Sequence, residues 1–595
     1  MQLNKKYFGL IAALIIFIFG IPLASGAIFL SLTITSLFEM QNSRFHLVNR
    51  SLVMTCTWFV WMFPAEFISM PGIVHRIYMI CPIAYVIYRK LSGSTSTFVY
   101  QSFAVGTLAM VIFTALVRLL EKQAGALLTI IGYGYDNSHH YALFQFVMQH
   151  DQLPRYSSVP TNEINNLILN YPVGQTALWH IFLSPFQING LTTNRLIALF
   201  ALMVVISGLV LGACLTTLVR NLSQRKPGRR EHLITAILLY ALIVLGSGGV
   251  ILVGGFPPMI IALILISLIT LVHDQEYSRS KTLLQIALTG ILALTYSTVA
   301  LPIVAAILIV KIPVLLRLFK NGRKKELALL TIFGLSAILV VCAIFLPTAR
   351  EWGWNQVLDL GGIPYFPISL AVLTAAIAMW LLILNFRSDN QNLFYPLVLV
   401  FVWVSYLVLA LITHHYNHEI TYYAHKQAYI ATVLTIPGAI ILVQRLCVNK
   451  QRFFMVASLV LVASGFLIQI GTTFKFVPIA LRIVPGHEFQ RINGDQILKI
   501  LSETKSPLYV LVNTNTNTDL NSRWINGLNN TWTDAALSIF YEPIETWPDY
   551  PEKLTTFTNL SPPPVLVTDD ISNIPEQTRV FLTNAGWKIL IEPRS

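Results

Sequence analysis

Apolar stretches of about 20 residues recur along this chain, and they limit its fold more than any other feature. A helix needs about 20 apolar residues to cross the hydrocarbon core of a bilayer. Backbone groups in hydrocarbon must find their hydrogen bonds within their own segment, which favours helices. Of the 595 residues, 55% are hydrophobic and only 11% are charged, against about 25% charged in soluble domains. The sequence therefore predicts a polytopic α-helical membrane protein.

Hydropathy places the membrane part in residues 1–475 and predicts a bundle of roughly 11–15 transmembrane helices. The first apolar run is longer than one crossing and contains Pro22 and Gly26, so it is predicted to be interrupted. The predicted spans are 8–37, 51–70, 73–88, 98–120, 193–219, 233–252, 255–272, 282–298, 301–318, 327–347, 366–385, 393–413, 428–445 and 453–472.

Short basic loops orient the predicted bundle. The net charge of +13 is unevenly placed, because 31 basic and 14 acidic residues precede residue 476. The positive charge lies between apolar segments, at 89–90, 220–230, 279–281, 317–325 and 445–452. Positive loops of this kind mark the cytoplasmic side, so topology explains the charge and no nucleic-acid partner is expected. The outer face then receives the loops 121–192, 348–365 and 414–427 and everything after 473.

The composition changes from about residue 476, where 9 basic and 13 acidic residues follow. The segments SPLYVLVNT, PPPVLVTDD and GWKILIEP have the short apolar runs of buried strands, with Pro, Asn, Thr and Asp between them. Residues 476–595 are therefore predicted to form a small extracytoplasmic α/β domain. The long first outer loop, 121–192, contains two amphipathic pieces near 138–150 and 174–186, which are predicted to lie along the membrane surface.

Ionisable residues concentrate in the predicted outer loops, where eight of the thirteen histidines fall. Asp136 stands directly before the first amphipathic piece, and helical spacing places Asp136 and His140 on one face. One interpretation is a helix cap at Asp136 or Asn137. The other is a general base for an acceptor hydroxyl, with a pKa raised by a dry site. Asp136, His139 and His140 also leave a divalent cation open, although their spacing matches no zinc pattern.

The later outer loops offer cationic and aromatic candidates. Lys426 stands where the chain is predicted to re-enter the membrane, and it is either a snorkelling side chain or a cation for a phosphate. Tyr422 and Tyr423 are interface aromatics that also suit a sugar site. Arg350 opens a further charged pair in the third outer loop. The exposed-loop histidines His414, His415 and His418 beside Glu419 are more typical of a surface than of a metal site.

Two motifs together resemble a known family. GYDNSHHYALFQFVMQHDQLP followed by YPVGQTALWHIF is similar to the DN-x-x-H … YP-x-G pattern of large bacterial membrane proteins of the GT-C glycosyltransferase superfamily. TYYAHK before a later span resembles their late Tyr-Tyr-x-x-Lys element. The first outer loop has no D-x-D or E-x-D motif, which some branches of that superfamily use with a metal.

The resemblance implies a GT-C-like bundle that transfers a sugar from a polyprenyl-phosphate donor to a glycan or lipid acceptor of the cell envelope, outside the cytoplasmic membrane. It implies that Asp136 is the catalytic base and that Lys426 contacts the donor phosphate. The other candidates for substrate binding are His139, His140, Asn137, Tyr422, Tyr423, Arg350 and His180. The sequence leaves three alternatives open: a polymerase or ligase of lipid-linked glycans, a transporter or flippase, and a non-catalytic envelope scaffold.

Overall fold

A computed structural model of the chain describes the larger part of its helices and a small sheet. The residues it describes are 50–67, 78, 96–132, 136–157, 169, 172–184, 191–223, 233, 235–237, 239–240, 247–273, 278–352, 366–387, 393–446, 492–512, 518–529, 544–549, 551 and 562–592. The predicted spans at 8–37, 73–88 and 453–472 fall outside these ranges, apart from Tyr78.

Up to residue 446, all the regular secondary structure that is described is helical, as the long apolar runs predict. Its helices are α1 Arg50–Met62, α2 Ser96–Glu121, α3 Ala124–Ile131, α4 Asn137–His150, α5 Gly174–Leu183, α6 Thr193–Leu222, α7 Ser247–Val253, α8 Pro257–Val272, α9 Arg279–Thr295, α10 Ser297–Lys320, α11 Lys324–Trp352, α12 Ile368–Arg387, α13 Phe394–Asn417 and α14 Tyr422–Leu446. Short 3₁₀ turns follow α1 at Phe63–Phe67 and α4 at Pro154–Tyr156.

Six of these helices are long and apolar enough to cross a membrane, judged by length and composition over the described residues. They are α6, α10, α11, α12, α13 and α14. Many of their large apolar side chains are exposed, for example Leu301, Leu339 and Val372. Exposed apolar surface on this scale is typical of a face that meets lipid. The prediction of a helical membrane protein is therefore confirmed at this level.

The two amphipathic pieces of the first outer loop form helices α4 and α5, and both are packed inside the protein. That they lie along a membrane surface stays a prediction. All of α5 is buried, and α4 is buried from Asn137 to Met148. The helices pack against each other, and α4 also packs against α6 and the C-terminal part of the chain. The polar residues of α4 from Asn137 to Gln145 are therefore surrounded by protein, whereas its last two residues, Gln149 and His150, are exposed.

The C-terminal part forms a three-stranded parallel sheet with flanking helices, which confirms the predicted small α/β unit. Its elements are α15 Gly494–Glu503, β1 Tyr509–Val512, α16 Thr518–Leu528, β2 Val565–Thr568, α17 Glu576–Asn584 and β3 Lys588–Ile591. The strand order is β1-β2-β3, with Val510 opposite Leu566 and Leu566 opposite Ile589. Strands β1 and β2 are buried throughout, whereas β3 has two exposed and two partly buried residues, unlike the predicted third buried strand.

One face of this sheet is continuous with the core of the helical part. Tyr509 and Leu511 on β1, together with Trp524 and Ile525 on α16, belong to the same buried apolar cluster as the residues of α4, α5 and α6. The opposite face has a core of its own around Trp547, Trp587 and neighbouring aliphatic residues. The C-terminal unit is thus packed directly on the helices, with α15 against α3 and α16 against α4.

Candidate functional site

The candidate site forms where the start of α4 meets the start of α14. Asp136 occupies the N-cap position of α4, yet its side chain makes no capping hydrogen bond. The carboxylate instead reaches across to α14, 286 residues later in the chain, where the hydroxyl of Tyr422 donates a hydrogen bond to its Oδ2. The helix-cap interpretation therefore does not account for this carboxylate.

Lys426 contacts the same carboxylate oxygen. Its Nζ lies 3.3 Å from Oδ2 of Asp136, and the two side chains are 9% and 19% exposed. Tyr422 and Lys426 are four residues apart on α14, so helical geometry places both on the face that meets Asp136. The structure thus brings together the acid and the amine that the sequence placed in separate outer loops.

Aromatic rings surround the ammonium of Lys426. Its Nζ lies 3.7 Å from the ring centroid of Tyr422, 4.2 Å from that of Phe256 and 5.6 Å from that of Tyr423. A cation over such ring faces gains about 0.5–2 kcal/mol, depending on how far it is desolvated. This arrangement is unlike a snorkelling lysine, whose charged end would extend to water. Tyr423 is therefore beside the pair, as predicted for a site residue.

Among the described residues, no donor contacts the second carboxylate oxygen of Asp136, Oδ1. Both described donors, Tyr422 and Lys426, use Oδ2. The side chain of Asp136 is 19% exposed. The described residues thus hold the carboxylate through Oδ2 alone.

The pKa of Asp136 differs from the sequence prediction, which was that a dry site would raise it. Burial does act in that direction, but the charge of Lys426 and the hydrogen bond from Tyr422 outweigh it. Weaker contributions of the same sign come from His139 and His140. The net result is a pKa below the ordinary value, so Asp136 is a carboxylate at neutral pH.

His139 and His140 lie in the first turn of α4 and are buried. Burial lowers the pKa of His139 to about 4, and the charge of Arg523 acts in the same direction. Burial lowers the pKa of His140 to about 3 against the opposing influence of Asp136, while Lys426 and His139 lower it further. Both imidazoles are therefore neutral at physiological pH, beside the Asp136–Lys426 pair.

Two further candidates have other positions. Asn137 is buried and its amide donates to the backbone oxygen of Ile131 at 2.8 Å, which ties the start of α4 to the end of α3. This contact gives Asn137 a structural role in orienting Asp136. Arg350 lies in the last turns of α11, and its side chain is outside the described residues.

His180 is not brought to Asp136. Its Nδ1 donates to Glu66, at 3.0 and 2.8 Å from the two carboxylate oxygens, and its Nε2 lies 3.3 Å from Oδ1 of Asp151. Asp151 directly follows α4, whose 14 residues separate it from Asp136 by about 21 Å. Burial opposes the charged imidazole, but Glu66 and Asp151 together raise the pKa of His180 to about 10. His180 is therefore an ion-pair residue at the far end of α4.

The possible divalent cation at Asp136, His139 and His140 stays a prediction. Within the described ranges, no group of three His, Cys, Asp or Glu side chains is arranged to hold a metal ion. The carboxylate oxygen Oδ2 of Asp136 already contacts the ammonium of Lys426. His414, His415, His418 and Glu419 are exposed at the end of α13.

Sequence reasoning missed two residues near the site. Phe256 caps α8 in a Gly-Gly-Phe-Pro-Pro turn, and nothing in that turn indicates an aromatic ring over a distant lysine. Arg523 lies on α16 and is 1% exposed, although arginine is among the residues least often fully buried. Both positions depend on tertiary packing, and no local pattern predicts them.

Comparison of the sequence with protein-family models and with curated proteins gives no match. The fold and the site themselves define a broad class. The chain is a helical protein with at least six helices suited to a membrane and a C-terminal α/β unit packed on them. Within it, a partly buried Asp–Tyr–Lys cluster lies at the ends of α4 and α14.

Proposed function

We propose that the chain is a GT-C-type glycosyltransferase of the bacterial cell envelope. It would move a sugar from a polyprenyl-phosphate donor to a glycan or lipid acceptor on the outer face of the cytoplasmic membrane. The observation that carries the proposal is the state of Asp136: Oδ2 is held by Tyr422 and Lys426, while Oδ1 has no partner among the described side chains. A carboxylate held in this way suits the acceptance of a proton from a bound hydroxyl.

The proposed reaction is a single displacement at the anomeric carbon. The acceptor hydroxyl oxygen forms a bond to that carbon, the bond between the carbon and the donor phosphate oxygen breaks, and the polyprenyl phosphate leaves with the electron pair. The hydroxyl proton passes to Oδ1 of Asp136. The acceptor hydroxyl thus approaches opposite the leaving phosphate, which inverts the configuration of the sugar.

The low pKa of Asp136 makes it a weak base in the resting state, and Lys426 is a major cause. A donor phosphate that attracts the ammonium of Lys426 would weaken its hold on Oδ2. The pKa of Asp136 then rises, because a nearby positive charge is what lowered it. Donor binding would in this way strengthen the base and at the same time stabilise the leaving phosphate.

The uncharged histidines beside Asp136 also suit the binding of a sugar. His139 and His140 are uncharged beside Asp136, so they offer hydrogen-bonding groups for sugar hydroxyls without a second positive charge that would compete with Lys426. Tyr423 presents an aromatic ring near the ammonium, and aromatic rings of this kind pack on the apolar face of a sugar.

The experiment that tests this function uses the full chain in liposomes with a panel of synthetic polyprenyl-phosphate sugars and mixed envelope acceptors. The wild type is expected to form a new glycosidic bond from at least one donor, detected by mass spectrometry, and Asp136→Asn is expected to lose it. Glu503→Gln, at an exposed position on α15, is the matched carboxylate control. Transfer by Asp136→Asn at the wild-type rate would overturn the assignment of the base.

A transporter is the second candidate, because one observation favours it. Lys311 is 6% exposed within α10, one of the six helices suited to a membrane, and buried ionisable residues at such positions often serve transport. The two functions differ in a sealed vesicle. A transporter moves the labelled lipid-linked glycan across the membrane and forms no new glycosidic bond.

A further inference from the structure

The segment YPVGQT brings the start of α5 against the junction of α9 and α10. A Cβ atom on Gly174 would lie 2.3 Å from Oγ1 of Thr295 and 2.8 Å from its backbone nitrogen. A residue with a side chain would hold the two segments apart, so the contact requires glycine. It places the next residue of α5, Gln175, near Tyr296, which joins α9 to α10.

The first residues of α5 bury polar atoms that have no partner. Gln175 and Thr176 are both 0% exposed. Among the described residues, neither amide atom of Gln175 makes a hydrogen bond, and neither does the hydroxyl of Thr176. Burial of a polar group without a partner is costly and rare in folded proteins. The start of α5 therefore has unused hydrogen-bonding capacity.

Helix α14 contributes a second amide of this kind. Gln427 is 0% exposed, and its Oε1 accepts a hydrogen bond from Oγ1 of Thr298, at the start of α10, over 3.4 Å. Its Nε2 has no partner in the described part of the chain. Gln427 directly follows Lys426, whose ammonium contacts Asp136. The unused amide donor thus lies beside the Asp136–Lys426 pair.

The junction of α9 and α10 is partly open. Tyr296, Ser297 and Thr298 are partly exposed, as is the side chain of Asp136. Burial raises the pKa of Tyr296, and the charges of Tyr423 and Asp136 act in the same direction, which agrees with a position close to both. A molecule bound at Asp136 would therefore meet this junction.

We propose that the starts of α5, α10 and α14 form the subsite for the donor sugar, in which Gln175 and Gln427 bind its hydroxyls. The proposal rests on the proposed function, because it takes the donor phosphate to lie at Lys426. The sugar is bonded to that phosphate, so its ring must lie next to Lys426, as Gln427 does. An amide donates and accepts hydrogen bonds, and so does a sugar hydroxyl. The sugar reaches the enclosed amides when the partly exposed side chains of the junction turn aside.

The chemistry of this subsite selects a neutral sugar. Its described groups are two amides, the hydroxyls of Thr176 and Thr298, and the ring of Tyr296, and none of them is charged at neutral pH. The carboxylate of a uronic acid would be buried among them without a cation of its own, since the phosphate takes Lys426. Burial of an unpaired charge costs far more than burial of a hydroxyl that is hydrogen-bonded.

The test compares the binding of lipid phosphates with and without a sugar. The full chain in nanodiscs is titrated with farnesyl phosphate and with farnesyl phosphate that carries mannose, glucose, galactofuranose, arabinofuranose or glucuronic acid, and bound lipid is counted by native mass spectrometry. At least one neutral sugar is expected to raise the affinity by about tenfold, because each new hydrogen bond contributes a factor of about 2–12. Glucuronic acid is expected to give no such gain.

Two variants of similar side-chain volume assign the preference to the amides. Gln175→Met and Gln427→Met are each expected to reduce the preference for the sugar-bearing lipid by a factor of about 2–12 and to bind farnesyl phosphate as the wild type does. Without lipid, Gln175→Met is expected to melt at the wild-type temperature or above, because it removes a buried amide that has no described partner. A purely structural amide would give the reverse: a lower melting temperature and an unchanged preference.

Gln285→Met is the matched control. Gln285 is a buried amide on α9, 1% exposed, and its Nε2 lies 3.3 Å from Nδ1 of His273. About 15 Å of helix separate it from Thr295. The variant is expected to melt at a lower temperature than the wild type, since it loses a satisfied contact, and to keep the full preference for the sugar.

The outcomes decide the proposal in either direction. Equal affinity of the wild type for all the lipids overturns the subsite, and tighter binding of glucuronic acid than of every neutral sugar overturns its neutral class. A preference that is unchanged in both Met variants also overturns it and indicates ordered water around the amides. If Gln175→Met does not fold, Gln427→Met decides by the same criterion.

The proposed function has a separate readout, which is the formation of a glycosidic bond that depends on Asp136. Sugar transfer by the wild type, with an unchanged sugar preference in both Met variants, would contradict the subsite alone. A sugar preference that disappears in the Met variants, without transfer by the wild type, would contradict the glycosyl transfer alone.

Discussion

The ammonium of Lys426 and the carboxylate of Asp136 lie 3.3 Å apart, although 290 residues separate them in the chain. Both side chains are largely buried, and removal of one partner leaves the other charge in a poorly solvated place. The pair therefore joins the start of α4 to the start of α14, and it determines both the stability of this region and the basicity of Asp136.

Replacement of Lys426 by Met is expected to destabilise the protein by about 1–3 kcal/mol, because the buried carboxylate loses its charged partner. In the double variant with Asp136→Asn the two effects are expected to be non-additive, with a coupling energy of about 0.5–3 kcal/mol. Melting in detergent, followed by intrinsic fluorescence, provides the measurement. Strict additivity would show that the two groups do not interact.

Replacement of Tyr422 by Phe removes the hydroxyl that donates to Oδ2 of Asp136. The pKa of Asp136 is expected to rise, because that hydrogen bond favours the charged carboxylate. A group with a lowered folded-state pKa stabilises the protein above its unfolded value of 3.8 and loses that contribution as pH falls through the folded value. The loss of stability at low pH is therefore expected to begin at a higher pH in Tyr422→Phe than in the wild type. The same dependence of stability on pH in both proteins would contradict this.

The ion pair between Glu66 and His180 makes the stability of the protein depend on pH in the opposite direction. The pKa of His180 is raised to about 10, so the stability it contributes is complete below about pH 6.5 and is lost as pH rises through about 10. The melting midpoint of the wild type is therefore expected to fall between pH 7 and pH 10. Glu66→Gln should flatten that fall, whereas His414→Gln, at an exposed position, should not change it.

The sequence predicts helices well here because the apolar runs leave no other structure for them. The basic loops predict that Asp136 and Lys426 lie on the same side of a membrane, and the structure shows that the two side chains are in contact. The sequence does not predict that α4 and α5 are buried. An amphipathic pattern shows that one face is polar but not whether that face meets water or protein, and in α4 the amide of Gln145 meets a backbone oxygen of α16.

The sequence also fails to predict the burial of Arg523 and the lowered pKa of Asp136. A buried arginine has no local signature, because its burial depends on how α16 packs against α4. Gln145 and Leu528, which join these two helices by a hydrogen bond, are 383 residues apart in the chain. The pKa of Asp136 depends on which charged and polar groups contact it in the folded protein. Burial raises this pKa, while Lys426 and Tyr422 lower it, and the sequence alone does not show which effect is larger.

The glycine contact between α15 and α3 gives a stability prediction with an internal control. Gly494→Ala places a Cβ atom against the backbone oxygen of Gly125, so it is expected to loosen the C-terminal unit and speed its release by limited proteolysis. Gly334→Ala on α11 meets no atom within 4 Å and is expected to be neutral or to stabilise its helix by about 0.5–1 kcal/mol. Equal protease resistance of the Gly494 variant and the wild type would contradict the close contact.

In the proposed function, Asp136 accepts the proton of an acceptor hydroxyl during sugar transfer. The rate of glycosidic bond formation from a polyprenyl-phosphate sugar in liposomes tests this role most directly, with wild type and Asp136→Asn compared at equal amounts of folded protein. The variant is expected to bind the donor lipid but to transfer the sugar about 10²–10⁴-fold more slowly. A variant that transfers sugar as fast as the wild type would contradict it.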